Sequence, residues 1–290
     1  MRILVLGGDG MLGHKLLAHL SVSHDVRVTL RRRLEDYAAL HLFNRGNAYP
    51  DVEVCSSERL TEVLADFRPQ VVINAVGVVK QRDEAKAAIP SIQVNALLPH
   101  RVALLTRATN ARLVHISTDC VFSGRVGGYT EASIADAEDL YGRTKFLGEV
   151  ADVGCVTLRT SIIGRELSRK TGLLEWFLAQ RNPIKGYTNA IYSGFTTQEM
   201  ARVIERVLVH FPHAHGLYHV SSEPISKYAL LVMIRDALGK KIDIYPDAEF
   251  RCDRSMRSDR FREEFSYAAP SWQAMVEELA QEIKRTGNDL

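Results

Sequence analysis

Residues 2–13, RILVLGGDGMLG, decide how the rest of the chain is read. Ile3, Leu4, Val5 and Leu6 form a short unbroken apolar run, the signature of a parallel strand buried on both faces. Gly7, Gly8, Gly10 and Gly13 follow. Next comes a helical pattern over residues 14–20, with Leu16, Leu17 and Leu20 on one side. Between a strand and a helix, residues without Cβ let the chain turn sharply and let a pyrophosphate approach the backbone. The first helical amides then face that anion with the positive end of the helix dipole. The spacing is G-x-x-G-x-x-G over Gly7, Gly10 and Gly13, with Met11 and Leu12 between the last two. It predicts a dinucleotide-binding turn, against the plainer reading of a tight strand-to-helix connection.

The surrounding chain fits that start. Residues 25–30 (DVRVTL) alternate and are β-branched, which predicts a second strand. The end of that strand meets the adenosine ribose in such a fold, and an acid there favours NAD. Here Arg31, Arg32 and Arg33 follow, and guanidinium groups suit a 2′-phosphate. The expected cofactor is therefore NADP(H). Residues 51–55 are expected as a third strand and residues 59–67 as a helix. Val71, Val72 and Ile73 form a fourth strand that stops at Asn74, Ala75, Val76 and Gly77, small residues where cofactor would lie. A long helix over residues 92–110 carries Asn95. Residues 113–116 are a fifth strand, ending in Ser117, Thr118 and Asp119. This alternation predicts an α/β fold, a Rossmann-type doubly wound parallel sheet.

Beyond residue 120 the expected elements are a helix over 140–151, a strand over 156–158, and a helix over 173–180. Short strands and loops over 183–193 follow, then a helix over 197–210, a strand over 217–220, and a helix over 227–238. A short strand over 242–245 and a closing helix over 272–283 complete the set. Residues 1–160, with 191–222 returning to them, are expected to form the dinucleotide-binding core. Residues 161–190 and 223–290 are expected to form a smaller C-terminal substrate-binding lobe.

Composition narrows the class. Of 290 residues, 46% are hydrophobic and 25% charged, ordinary for a globular protein. A formal net charge of +2 does not argue for nucleic acid. Cys55, Cys120, Cys155 and Cys252 are scattered without a C-x-x-C pair, so neither a zinc site nor a disulfide framework is indicated. No carboxylate cluster points to a metal, and His100, His115 and His219 show no ligand spacing. No apolar run has the length of a membrane span. The reading is a cytoplasmic protein with no nucleic-acid or membrane partner, and with a homodimer left open.

Tyr141 and Lys145 lie four apart on an expected helix, so their side chains share a face. An ammonium group near a phenol favours the phenolate, which suits acid–base work in carbonyl–alcohol interconversion. Thr118, at the end of strand five, is placed to hydrogen-bond a substrate oxygen.

Taken together, GGDGMLG, NAVG at 74–77, STDCVFSG at 117–124, YGRTK at 141–145 and RTSIIGRE at 159–166 resemble an extended short-chain dehydrogenase/reductase. Within that superfamily the dTDP-4-dehydrorhamnose reductase group is the nearest match. The resemblance implies NADPH-dependent reduction of the 4-keto group of a nucleotide-activated 4-keto-6-deoxy sugar. Thr118, Tyr141 and Lys145 would be the catalytic residues, with Tyr141 as proton donor. Gly7, Gly10, Met11, Leu12, Gly13, Arg31, Arg32, Asn74, Ala75, Val76, Gly77, Asn95, Tyr141 and Lys145 would hold the cofactor. Val79, Lys80, Thr118, Asp119, Cys120, Phe122, Ser161, Tyr192 and Arg254 would meet the sugar nucleotide. Cys120 stands where the group commonly carries tyrosine, and reads as a packed thiol. Asp119 is followed by Cys120 instead of a second carboxylate, which argues against dehydration. A 4-epimerase and a non-catalytic NADP-binding regulatory subunit on the same fold remain the alternatives. Residues 187–197 read equally as lining for the sugar nucleotide or as an ordinary strand pair. Of Arg251, Arg254, Arg257 and Arg260, one or two are expected at a diphosphate and the rest in surface ion pairs.

Overall fold

A computed structural model describes residues 1–78, 87–168 and 170–286. The apolar run is β1 (Arg2–Leu6), and Ile3, Leu4 and Val5 are fully buried. It lies between two parallel neighbours, β2 (Asp25–Thr29) and β4 (Val71–Asn74), with Ile3 opposite both Val26 and Val71. The remaining strands of this sheet are β3 (Ala48–Tyr49), β5 (Arg112–Thr118), β6 (Cys155–Thr160) and β10 (Gly216–His219). The order is β10-β6-β5-β4-β1-β2-β3. The chain leaves β3 at one edge and re-enters at β4 beside β1. That reversal opens the crevice in which doubly wound sheets take their ligands.

The chain forms two compact units. The first comprises Met1–Ser117, Glu138–Leu158 and Ala201–Leu217, and the second Thr118–Ala137, Arg159–Met200 and Tyr218–Leu290. Of the residues expected in the dinucleotide-binding core, 118–137, 159–160, 191–200 and 218–222 lie in the second unit.

In the first unit, α1 (Gly13–Leu20) and α2 (Ser57–Phe67) follow β1 and β3. Leu60, Val63, Leu64 and Phe67 of α2 pack with Leu4, Leu6, Val72 and Leu113 of the strands. Each such fully buried side chain contributes roughly 1.5–3 kcal/mol. The strand expected over 51–55 is replaced by the two-residue β3. Pro50 has no N–H for a ladder, and Asp51 takes a left-handed φ of 54°, which ends extended structure. The helix expected over 92–110 starts earlier. It runs as α3 (Ala88–Ser91), a π-helical turn (Ile92–Leu97) and α4 (Leu98–Ala108). Pro90 fits in its first turn, where no N–H is needed. The helix expected over 140–151 is shorter, α5 (Leu140–Leu147), with Gly148 as its C-cap.

The second unit holds β7 (Ile162–Ile163), α6 (Leu173–Ala179), β8 (Ile184–Tyr192), β9 (Phe195–Thr196), β11 (Ile225–Ser226), α8 (Lys227–Leu238), β12 (Ile244–Asp253), α9 (Asp259–Glu264) and α10 (Trp272–Arg285). The amphipathic α7 (Thr197–His210) starts in this unit and, from Ala201, opens the first unit's return segment. Two expectations change here. Residues 184–192 form one long strand, and the short strand expected over 242–245 is ten residues long, starting at Ile244. β8 is central in the order β11-β8-β12, antiparallel to β11 and parallel to β12. Pro246 is accommodated because β12 is an edge strand. An aromatic cluster of Tyr218, Phe261 and Phe265 fills this unit's core, with Phe261 and Phe265 stacked at 4.4 Å.

Candidate active site

The glycine loop is built almost wholly from backbone. Gly7 takes φ 86°, and its amide donates to Thr29 Oγ1 at 3.1 Å. The Gly8 amide donates to the Thr29 carbonyl at 2.9 Å, and Gly10 closes back on the Gly7 carbonyl at 3.1 Å. A Cβ on Gly13 would collide with that same carbonyl, and one on Gly8 with the Val28 side chain. Gly8, outside the spaced triplet, is thus as constrained as its neighbours. Leu12 is the N-cap of α1 and supplies no capping side chain, while Ser56, Asp139, Ser226 and Ser271 cap α2, α5, α8 and α10. Met11 is half-buried beside it. A cradle that admits no Cβ, ending in helix amides without a side-chain cap, fits the diphosphate of a dinucleotide.

Arg31 and Arg32 follow β2 and are exposed. At the end of β4, Asn74 Oδ1 accepts from the Val76 amide at 3.2 Å, and Asn74 Nδ2 meets His115 Nδ1 at 3.2 Å. Burial and the Lys145 charge push the His115 proton affinity well below the usual imidazole range, so His115 is neutral. The Asn74 amide is therefore the donor, and His115 carries its proton on Nε2. This pair shapes the Ala75–Val76–Gly77 turn, whose residues remain partly exposed. Asn95, expected at the cofactor, engages the turn that follows β4. Its side chain is buried, accepts from the Val78 amide at 2.9 Å, and donates to the Val78 carbonyl at 3.1 Å and Thr144 Oγ1 at 3.4 Å. It holds the turn after β4 in place through both ends of its amide. It sits in the π-helical turn, a distortion common at functional sites. Val79 and Lys80 lie outside the described residues.

Tyr141 and Lys145 share a face of α5, whose start is fixed by Asp139 accepting from the Gly142 amide at 2.8 Å. Lys145 is buried and its Nζ donates to the Ile116 carbonyl at 2.7 Å. Burial lowers its pKa to about 8, against the opposing pull of Glu149. Glu149 is itself held by the Ser117 hydroxyl, which donates to it at 2.7 Å.

The second unit carries the other group of expected residues. Thr118 opens a 3-10 turn, Asp119–Val121. Its hydroxyl accepts from the Cys120 amide and donates to Asp119 Oδ1, both at 3.1 Å. Burial raises the Asp119 pKa, while Arg254, the hydrogen bonds from Thr118 and Cys120, and Lys227 pull it back. Burial and the neighbouring Asp119 push the Cys120 thiol up to about 12, so it is a neutral thiol and not a nucleophile. Arg254 donates from Nε to the Phe122 carbonyl at 2.8 Å. Arg257 pairs with Asp259 at 2.5 Å, and Arg260 lies over the Tyr218 ring at 4.4 Å, while Arg251 is exposed on β12. Ser161 is partly exposed, and its carbonyl accepts from the Phe195 amide at 2.9 Å. The Tyr192 hydroxyl is buried near Ser161 without a partner at hydrogen-bonding geometry, and burial and Asp119 raise its pKa strongly.

Phe122 corrects an expectation. It is fully buried, stacked on Tyr129 at 4.2 Å and 4°, with the Arg159 guanidinium 5.3 Å from its ring and His219 edge-on at 5.6 Å. The ring is spent on the core beneath the Thr118 turn and presents no surface to a ligand. Lys227, which acts on Asp119 from the start of α8, had no sequence signal, since it lies more than a hundred residues away.

Among the described residues, no cluster of three or more His, Cys, Asp or Glu side chains is placed to hold a metal ion, and no helix is long and apolar enough to cross a membrane.

The strand order and the glycine turn define an α/β protein of the Rossmann class. The chain belongs to the family described as the RmlD substrate binding domain, whose model matches residues 1–285. It is similar to a dTDP-4-dehydrorhamnose reductase from Aggregatibacter actinomycetemcomitans, 26% identical over 254 residues, covering 83% of this chain and 81% of that protein. It is also similar to the methionine adenosyltransferase 2 subunit beta of Mus musculus, 27% identical over 176 residues, which is 58% of this chain and 48% of that one. Among solved structures, a dTDP-4-dehydrorhamnose reductase from Bacillus anthracis in complex with NADP superimposes with a TM-score of 0.79. That match has 21% identity and covers 97% of this chain and 99% of that one.

Proposed function

We propose that the protein is an NADPH-dependent reductase of the 4-keto group of a nucleotide-activated 4-keto-6-deoxy sugar, working in the cytoplasm. The observation that carries this reading is the Tyr141–Lys145 pair on one face of α5, with the lysine anchored on the Ile116 carbonyl. Bound NADPH would supply hydride to C4 of the sugar. Gly7, Gly10, Met11, Leu12 and Gly13 would hold its diphosphate, Ala75, Val76 and Gly77 would border it, and Arg31 and Arg32 would meet the 2′-phosphate. Tyr141 donates its phenolic proton to the C4 oxygen as negative charge develops there. Lys145, charged below pH about 8, steadies the phenolate left behind. Thr118 would offer its hydroxyl to a substrate oxygen. To do so its hydroxyl would turn its hydrogen away from Asp119. Asp119, Cys120, Ser161, Tyr192 and Arg254 would surround the sugar nucleotide.

A second reading is a non-catalytic subunit that binds NADP(H) without consuming it, favoured by the similarity to methionine adenosyltransferase 2 subunit beta. The test is oxidation of NADPH by the purified protein mixed with dTDP-4-keto-6-deoxyglucose, with and without a 3,5-epimerase. Turnover that falls roughly 10²–10⁴-fold in Tyr141→Phe, with NADPH affinity nearly unchanged, is the expected result. Binding of NADPH without turnover on any keto-sugar favours the subunit.

A further inference from the structure

Asp9 and Tyr37 have no place in the roles assigned above. Asp9 lies inside the glycine loop, between Gly8 and Gly10. Tyr37 is buried on a 3-10 helix, Leu34–Leu40, that follows the three exposed arginines. The two loops are neighbours because β1 and β2 pair in parallel, and both Gly7 and Gly8 donate to Thr29 at the end of β2. Across this junction the Tyr37 hydroxyl donates to Asp9 Oδ2 at 2.9 Å. Arg32 acts on the same phenol through its backbone and its charge. The Tyr37 ring is fixed by an edge contact with Phe43 at 5.5 Å.

A carboxylate beside an adenosine ribose is the feature that separates the two nicotinamide dinucleotides. It accepts from a 2′-hydroxyl and repels a 2′-phosphate. This chain places an acid, Asp9, and the bases Arg31 and Arg32 on the two sides of one junction. We infer that the Tyr37–Asp9 clasp sets the discrimination between NADPH and NADH: Asp9 opposes a 2′-phosphate, and Tyr37 mutes that opposition by holding the carboxylate in a hydrogen bond. The phenol is suited to the task. Burial and Asp9 raise its pKa to about 12, so it remains a donor across the working range. The inference rests on the dinucleotide-binding part of the proposed function and adds the residues that grade cofactor choice.

The test is equilibrium binding of NADPH and NADH to the full chain, followed by fluorescence or calorimetry, in wild type, Tyr37→Phe, Asp9→Asn and the double variant. Tyr37→Phe releases the charge of Asp9 and should weaken NADPH about tenfold while NADH changes less than about twofold. Asp9→Asn keeps an acceptor for a 2′-hydroxyl and removes the charge. It should tighten NADPH severalfold with NADH nearly unchanged. The double variant should match Asp9→Asn, because the phenol has no charge left to mute. Asp9 is partly exposed, so Asp9→Asn reads the inference even if Tyr37→Phe loosens the fold. Equal weakening of both cofactors in Tyr37→Phe, or an unchanged NADPH/NADH ratio in Asp9→Asn, would overturn the clasp alone. Failure of the wild type to bind either dinucleotide would overturn the proposed function together with it.

Discussion

The glycine loop of the first unit and the Thr118 turn of the second are built by opposite means. Around residues 7–13 the contacts rest mainly on backbone atoms, with the Gly8 and Gly10 amides on the Thr29 and Gly7 carbonyls, and side chains enter through Thr29 under the Gly7 amide and Tyr37 on Asp9. Around residues 118–122 buried side chains enter many of the contacts, Thr118 on Asp119, Phe122 on Tyr129 and Arg159 over Phe122, beside backbone bonds such as that from the Phe122 amide to the Asp119 carbonyl. A backbone cradle suits a ligand part that never varies, such as a diphosphate. A side-chain turn can be re-cut residue by residue, which suits the part of a site that must tell one sugar from another.

That contrast can be broken at four strengths. The largest effect is expected from Tyr141→Phe, whose turnover assay is given above and which should leave both constructions intact. Next is Phe122→Ala, which removes the ring that Tyr129, Arg159 and His219 pack against. It should cost about 3–5 kcal/mol in denaturant unfolding. A loss under about 1 kcal/mol would mean the aromatic stack is not what supports the turn.

Third is a pH effect on Lys145. Its proton is held less firmly in the folded protein, with a pKa of about 8 against an ordinary 10.5. Between those values the unfolded chain binds the extra proton, so stability rises with pH through that window, by at most about 1.4 kcal/mol per unit. Unfolding curves from pH 8 to 10.5 should show the rise in wild type and lose it in Lys145→Met. The smallest effect is expected from Gly13→Ala. Its methyl group meets the Gly7 carbonyl, and overpacking of this kind costs about 1–3 kcal/mol. The loss should appear in NADPH affinity as well as in the melting temperature. A variant that melts early yet binds normally would separate the cradle from the ligand.

The same contrast explains what could be read from the chain directly. The first strand, glycine turn and α1 are local, so periodicity and spacing within a dozen residues disclose them. β8 was hidden because Gly186 and Asn189 are turn formers, and only its place between β11 and β12 makes it a strand. β12 was shortened by Pro246, which the edge position tolerates. Asn95 is placed by the sequence on a helix after β4, but its engagement of Val78 is set by a partner 17 residues away. Tyr37 and Asp9 are 28 residues apart and carry no joint pattern at all. The burial of Phe122 is beyond local patterns for a related reason. Its neighbours Tyr129, Arg159 and His219 are gathered from three separate segments.

The wide turn at Ile92–Leu97 behaves as an insertion stored inside a helix. A π-turn is one residue longer than the α-turn it replaces. Deleting one residue between Ile92 and Leu97 would restore regular helix and remove the widened turn that carries Asn95. The helix would survive such a deletion, but Asn95 would no longer face Val78. For this segment, chain length itself is a functional property, and a shortened relative would have to steady the turn after β4 by some other means.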